Sequence, residues 1–147
     1  MRIASTQYNL NKRAFEIYFS GCNFHCKGCH NEELWDFYVG EEITDKKLIE
    51  IINKIIEHQS MINEIWILGG EPLHQTSFQF NNFCKILLNF STDKKLVLFT
   101  GFNLDEIADE FPWCFDVFDE IKYGRYIEEL RTEGEELASS NQNYWRK

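Results

Sequence analysis

Three short apolar runs in this chain each stop at chemically unusual residues. Ala14 to Ser20 is rich in aromatic and β-branched residues and predicts a strand that runs into Gly21-Cys22. Glu64 to Leu68 predicts a buried strand stopping at Gly69-Gly70, and Lys95 to Phe99 a third ending at Thr100-Gly101. Helical patterns separate them. Thr44 is placed to cap a helix in which Leu48, Ile51, Ile52, Ile55 and Ile56 recur at helical spacing as far as His58. Phe78 to Phe90 predicts a second helix, and Asn103 caps a short one from Leu104 to Phe111. Val117 to Tyr123 predicts a last strand, and the polar stretch from Gly134 reads as irregular.

Strands alternating with helices imply an α/β fold of βαβ units around a mostly parallel sheet. Such sheets gather functional groups at the C-terminal ends of their strands. All three sequence oddities fall there. A closed eight-stranded barrel takes ~250 residues. The 147 residues here allow only a small partial, open parallel β/α barrel, read as a single domain over 1–147.

Composition narrows the function. Apolar residues make up 44% of the chain, enough for a packed core. The formal charge of −9, with no basic cluster, argues against direct binding of nucleic acid. No run approaches the ~18 apolar residues of a membrane span, and Met1 to Ser5 lacks a signal-peptide core. The expectation is a cytoplasmic protein with no membrane partner.

Five cysteines occur, and Cys22, Cys26 and Cys29 cluster as C-x3-C-x2-C. An odd count in a reducing compartment points to metal rather than disulfides. Thiolates select iron–sulfur clusters, zinc or copper(I). Structural zinc wants four ligands, and His25 or His30 could supply the fourth. A cubane cluster normally takes four cysteines, so three leave one iron open for a ligand. Cys84 or Cys114 could close the cluster, although both sit among apolar neighbours as buried cysteines do.

The spacing resembles the signature of the radical S-adenosylmethionine superfamily, and Gly69-Gly70-Glu71-Pro72 after a strand resembles its Gly-Gly-Glu motif. Within the superfamily the chain is most similar to the activating enzymes of anaerobic (class III) ribonucleotide reductase. Met1 to Ser5 with Gln7-Tyr8-Asn9, Phe19 to Cys22, Lys27-Gly28-Cys29 and Asn31 to Asp36 carry that likeness in the first half. Leu68 to His74, Phe99 to Phe102, Gly124 to Leu130 and Ser139 to Gln142 carry it through the rest. The chain departs at Asn9 to Arg13, where an Asn-Gly-x-Gly turn is usual. It departs again at Tyr123-Gly124 in place of Asp-Gly, and at Leu137-Ala138-Ser139 in place of Arg-Gly-Ser.

The resemblance implies a [4Fe-4S] cluster on Cys22, Cys26 and Cys29, with S-adenosyl-L-methionine bound at the open iron. It implies that Gly28, Cys29 and His30 lie along the adenosyl portion through backbone contacts. Gly69, Gly70 and Glu71 would meet the methionyl end, with Thr100 near a ribose or carboxylate. It implies transfer of a radical to a glycine of the reductase catalytic subunit, with electrons from a flavodoxin- or ferredoxin-like donor. His25 reads as an exposed loop residue or a neighbour of a cluster sulfur, Trp35 as a packing anchor, and Phe111 to Phe118 as core. Two rival readings stand beside this one. The first is another radical S-adenosylmethionine enzyme, like 7-carboxy-7-deazaguanine synthase or the pyruvate formate-lyase activase. The second is a non-catalytic iron–sulfur or zinc module.

Overall fold

The computed structural model describes residues 1–91, 93–134 and 136–147. Its strands are β1 (Arg2–Asn9), β2 (Ala14–Phe19), β3 (Glu41–Glu42), β4 (Glu64–Gly69), β5 (Lys95–Thr100), β6 (Glu120–Tyr123) and β7 (Asn143–Arg146). They form one sheet in the order β3-β1-β2-β4-β5-β6-β7. The central pairs β2–β4, β4–β5 and β5–β6 are parallel, and the outer pairs are antiparallel. The sheet is therefore mixed and open, with a parallel middle.

The helices are α1 (Asp45–Glu57), α2 (Ser77–Phe90), α3 (Leu104–Glu110) and the single turn α4 (Cys114–Val117). Thr44 caps α1, its hydroxyl accepting the Lys47 N–H at 3.2 Å. Asn103 and Glu106 form a capping box at the start of α3. The buried stripes of the helices meet one face of the sheet. Phe19 of β2 makes edge contacts with Phe80 and Phe83 of α2, at centroid distances of 5.4 and 5.5 Å. Phe15, Ile17, Ile65, Ile67, Leu96, Leu98 and Ile121 complete this core. The opposite face buries a smaller apolar group, Ala14, Trp66 and Val97, with Leu68 and Phe99 against it. It also carries buried charge, at Glu16, Glu120 and Lys122.

Three departures from the sequence expectations have local causes. Val117 belongs to a helical turn, and β6 starts only at Glu120. Cys114 and Val117, three residues apart, share the buried side of that turn, which is the helical period. The C-terminal stretch holds β7, added antiparallel to β6, with Trp145 packed on Phe115 at 4.9 Å. The short turn between Asn9 and Ala14 closes a β1–β2 hairpin, with Arg13 in the left-handed region (φ 52°). No helix among the described residues is long and apolar enough to cross a membrane.

Candidate cluster and cofactor site

The loop after β2 is pinned to the loop after β4 through backbone alone. Gly70 N donates to Phe19 O and Glu71 N donates to Gly21 O, each at 2.8 Å. Gly21 N in turn donates to Leu34 O at 2.8 Å. These contacts explain the glycine pair. Gly69 has φ +123°, and a Cβ there would lie 2.4 Å from Phe19 N and O. A Cβ at Gly70 would lie 2.5 Å from Gly21 O and 2.7 Å from Leu34 O. The close approach that Gly69 and Gly70 permit is to the chain's own backbone at the entry to the cysteine loop.

Glu71 is 1% exposed. Its Oε1 accepts from Leu73 N at 2.9 Å and from the Thr100 hydroxyl at 2.8 Å, and its Oε2 accepts from Gly101 N at 2.7 Å. Burial pushes this carboxyl up to about 7 despite the three donors. The Thr100 hydroxyl donates to Glu71 and accepts from Phe102 N at 3.1 Å. Thr100 thus helps aim Glu71, and it lines the cavity at the strand ends.

One cavity of about 230 Å³ opens at these strand ends. Cys22, Cys26, Cys29, His30, Gly69, Gly70, Glu71 and Thr100 all line it. Gly28 does not. A Cβ there would lie 2.7 Å from the Glu128 carboxyl carbon, so its open side faces the C-terminal segment. His30 is exposed, its ring 5.3 Å from that of Tyr126. His25 is exposed with φ 49° and stacks on Trp35 at 4.4 Å. Cys84 and Cys114 are fully buried in the helix-side core and do not line the cavity. The Phe111–Phe118 run also packs there.

Lys122, Tyr126, Leu137, Ala138 and Gln142, none of them marked as a site residue by the sequence, line the same cavity from the C-terminal third. Lys122 is buried, its ammonium 4.5 Å from the ring centres of both Trp66 and Phe99. It is paired with Glu136, with Glu120 at 3.9 Å. Lys122 follows Ile121 in the apolar alternation of β6, and that period-2 position was the available signal.

The residues fit an iron–sulfur cluster. The donors are three thiols on one loop, soft ligands suited to iron–sulfur chemistry. Burial raises the Cys22 and Cys26 thiols above their ordinary range, so each keeps its proton until a metal displaces it. Among the described residues no three His, Cys, Asp or Glu side chains converge on a single ion. Trp35 lines the cavity, and its buried Nε1 has no acceptor among the described residues. A buried donor wants an acceptor, and cluster sulfide is one.

Residues 12–145 match the 4Fe-4S single cluster domain family. The chain belongs to that family. Several similar proteins share one name. The anaerobic ribonucleoside-triphosphate reductase-activating protein of Haemophilus influenzae is 28% identical over 114 residues, covering 77% of this chain and 74% of that protein. The protein of the same name from Vibrio cholerae is 27% identical over 127 residues, covering 84% and 81%. The pyruvate formate-lyase 1-activating enzyme of Escherichia coli is 29% identical over 68 residues, covering 44% of this chain and 26% of that enzyme. A 4Fe-4S protein of this family thus carries its C-x3-C-x2-C loop at the end of a parallel strand, beside Gly69-Gly70-Glu71.

Proposed function

We propose that this chain is a radical S-adenosylmethionine activase that generates a glycyl radical on the catalytic subunit of an anaerobic ribonucleotide reductase. The observation that carries the reading is the cavity shared by Cys22, Cys26, Cys29 and Gly69 to Glu71 at the ends of β2 and β4. The names of the relatives support the choice of target. The open sheet with its parallel middle suits a partial β/α barrel of the radical S-adenosylmethionine type.

Cys22, Cys26 and Cys29 would hold the [4Fe-4S] cluster through their thiolates. When bound, the cluster supplies one electron for reductive cleavage of the sulfonium of S-adenosylmethionine. The chain's residues bind and orient. The backbone around Gly69 and Gly70 would present polar groups to the methionyl end. Oε2 of Glu71 accepts one hydrogen bond from Gly101 and retains a lone pair for an ammonium. Cys29 and His30 line the cavity on the side assigned to the adenosyl portion, and Gly28 supports the turn from behind. Leu68, Phe99 and Tyr126 supply apolar walls that exclude water. Electrons would come from a flavodoxin- or ferredoxin-like donor.

Electron paramagnetic resonance tests the assignment. Anaerobically reconstituted protein, S-adenosylmethionine, reductant and purified reductase subunit are expected to yield a glycyl doublet on the subunit. Cofactor cleavage with no doublet on the reductase overturns the target. Absence of both cleavage and brown colour overturns the chemistry.

A further inference from the structure

Arg125, two residues beyond β6, joins the cysteine loop to the ends of the other parallel strands. Its guanidinium forms a fork with Glu106 of α3, Nη1 to Oε2 at 3.0 Å and Nη2 to Oε1 at 3.2 Å. Nη1 also donates to Gly101 O, after β5, at 3.3 Å. The guanidinium carbon sits 4.2 Å from the ring centre of Phe24, which lies between Cys22 and Cys26. Phe24 is held on its other sides by His74 at 4.6 Å and Phe102 at 4.9 Å. The slot is full, since a Cβ on Gly101 would lie 2.8 Å from the Phe24 ring. Asn141 Nδ2 donates to Arg125 O at 2.8 Å and ties the C-terminal segment to the same point.

We infer that Arg125 is a positioning residue for the cluster: it clamps the cysteine loop through Phe24 and sets a fixed positive charge beside the thiolates that favours the reduced form. The inference rests on the function proposed above. Uptake of one electron from the external reductant leaves the site more negative by one charge, and a nearby cation stabilises that state. Phe24 lies two residues from Cys22 and two from Cys26, so the guanidinium stacked on its ring sits against the cysteine loop itself. His74 is the other titratable group at Phe24. Burial first and Arg125 second lower its affinity for a proton, so it adds no competing charge. Glu106 offsets part of the field, which gives the arrangement a second, opposite lever. Lysine cannot replace arginine here, because the planar group both stacks on Phe24 and forks to Glu106.

The test compares wild type, R125Q, R125K, E106Q and F24L after anaerobic reconstitution with iron and sulfide. The readouts are iron retained per chain against a chelator and the midpoint potential from a redox titration followed by electron paramagnetic resonance. R125Q is expected to shift the reduced-to-oxidised ratio about tenfold toward the oxidised form, 59 mV for one electron. E106Q keeps the cap and moves the potential the opposite way. R125K and F24L keep most of the potential but lose iron several-fold faster. Unchanged potentials in R125Q and E106Q, or shifts of the same sign, overturn the inference, as does iron retention unaltered in R125K and F24L. A wild type that takes up no cluster overturns the proposed function itself and is recognised before any variant is compared.

Discussion

The Thr100 hydroxyl donates to Oε1 of Glu71 across 2.8 Å, joining the end of β5 to the loop after β4 beneath the cysteine cavity. Glu71 also accepts from Leu73 N and Gly101 N, so one buried carboxylate ties the loop after β4 to the end of β5. A carboxylate so placed serves architecture and chemistry together. It fixes the strand ends that position the site, and it lines the cavity proposed to take the methionyl end of the cofactor.

This burial gives a pH dependence of defined sign. The Glu71 carboxyl is raised from its ordinary 4.5 to about 7. Between those values the folded protein binds a proton that the unfolded chain has released, so stability falls as pH rises through the window. The loss attributable to Glu71 is on the order of 3 kcal/mol. E71Q has no such proton to release. The stability difference between metal-free wild type and E71Q, from urea unfolding at pH 4.5 and 7, is expected to shrink by that order. A difference constant with pH would contradict the assignment.

Gly69 and Gly70 make a second prediction, because their side-chain space is filled by backbone that cannot turn aside. G70A would press on Gly21 O and Leu34 O, and G69A on Phe19 N and O. Each is expected to cost at least about 3 kcal/mol, at or above the usual range for overpacking. Gly134, at φ +67° with no atom of the described residues beyond its chain neighbours within 4 Å of an added Cβ, is the control. G134A meets only backbone strain and should cost about 1 kcal/mol. Denaturant midpoints of the three metal-free variants give the ranking.

The parallel middle of the fold was legible because β2, β4 and β5 are buried on the helix side and end at glycine or cysteine, punctuation that survives any tertiary context. β1 escaped the sequence reading because it is an outer hairpin arm, flanked on its far side only by the two-residue β3, with alternate residues such as Ser5 and Gln7 exposed. β7 escaped because Tyr144-Trp145 is too short to show a period among polar neighbours, and its pairing on β6 is a non-local event. At the site, the motif residues were legible by spacing. Arg125, Lys122 and Gln142 were not, since nothing local marks a residue that the sheet brings back to the β2 loop. Thr100, a ribose or carboxylate contact on the family resemblance, lines the cavity, and its hydroxyl is also engaged by Glu71 and Phe102, a pairing only three dimensions reveal.

The Lys122–Glu136 pair predicts an asymmetry. The Lys122 side chain is 2% exposed and that of Glu136 35% exposed. E136Q leaves a buried ammonium with Glu120 at 3.9 Å and two aromatic faces as its compensation. K122M leaves Glu136 free to hydrate and Glu120 still paired with Arg146 at 3.0 Å, while methionine keeps packing between Trp66 and Phe99. Removing one partner costs most when the group left behind is buried. E136Q should therefore destabilise by about 2–3 kcal/mol and K122M by about 1 kcal/mol. The reverse order in equilibrium unfolding would show that the cation, and not its burial, dominates this wall of the cavity.

The cysteines divide by environment into two groups, and substitution separates them. Cys22, Cys26 and Cys29 line the cavity, while Cys84 and Cys114 are fully buried, with thiols that burial holds well above their ordinary range. A thiol in that setting resists becoming the thiolate that iron requires. C22A, C26A and C29A are expected each to abolish stable cluster incorporation while leaving the metal-free fold within about 1 kcal/mol of wild type, since they sit on the loop. C84A and C114A should retain a full complement of iron and lose about 1–2 kcal/mol of stability from the small cavities they create. Iron and sulfide analysis with the visible spectrum of anaerobically reconstituted variants decides it. Loss of the cluster in C84A or C114A, with the fold intact, would make that cysteine a fourth ligand and close the iron assigned here to S-adenosylmethionine.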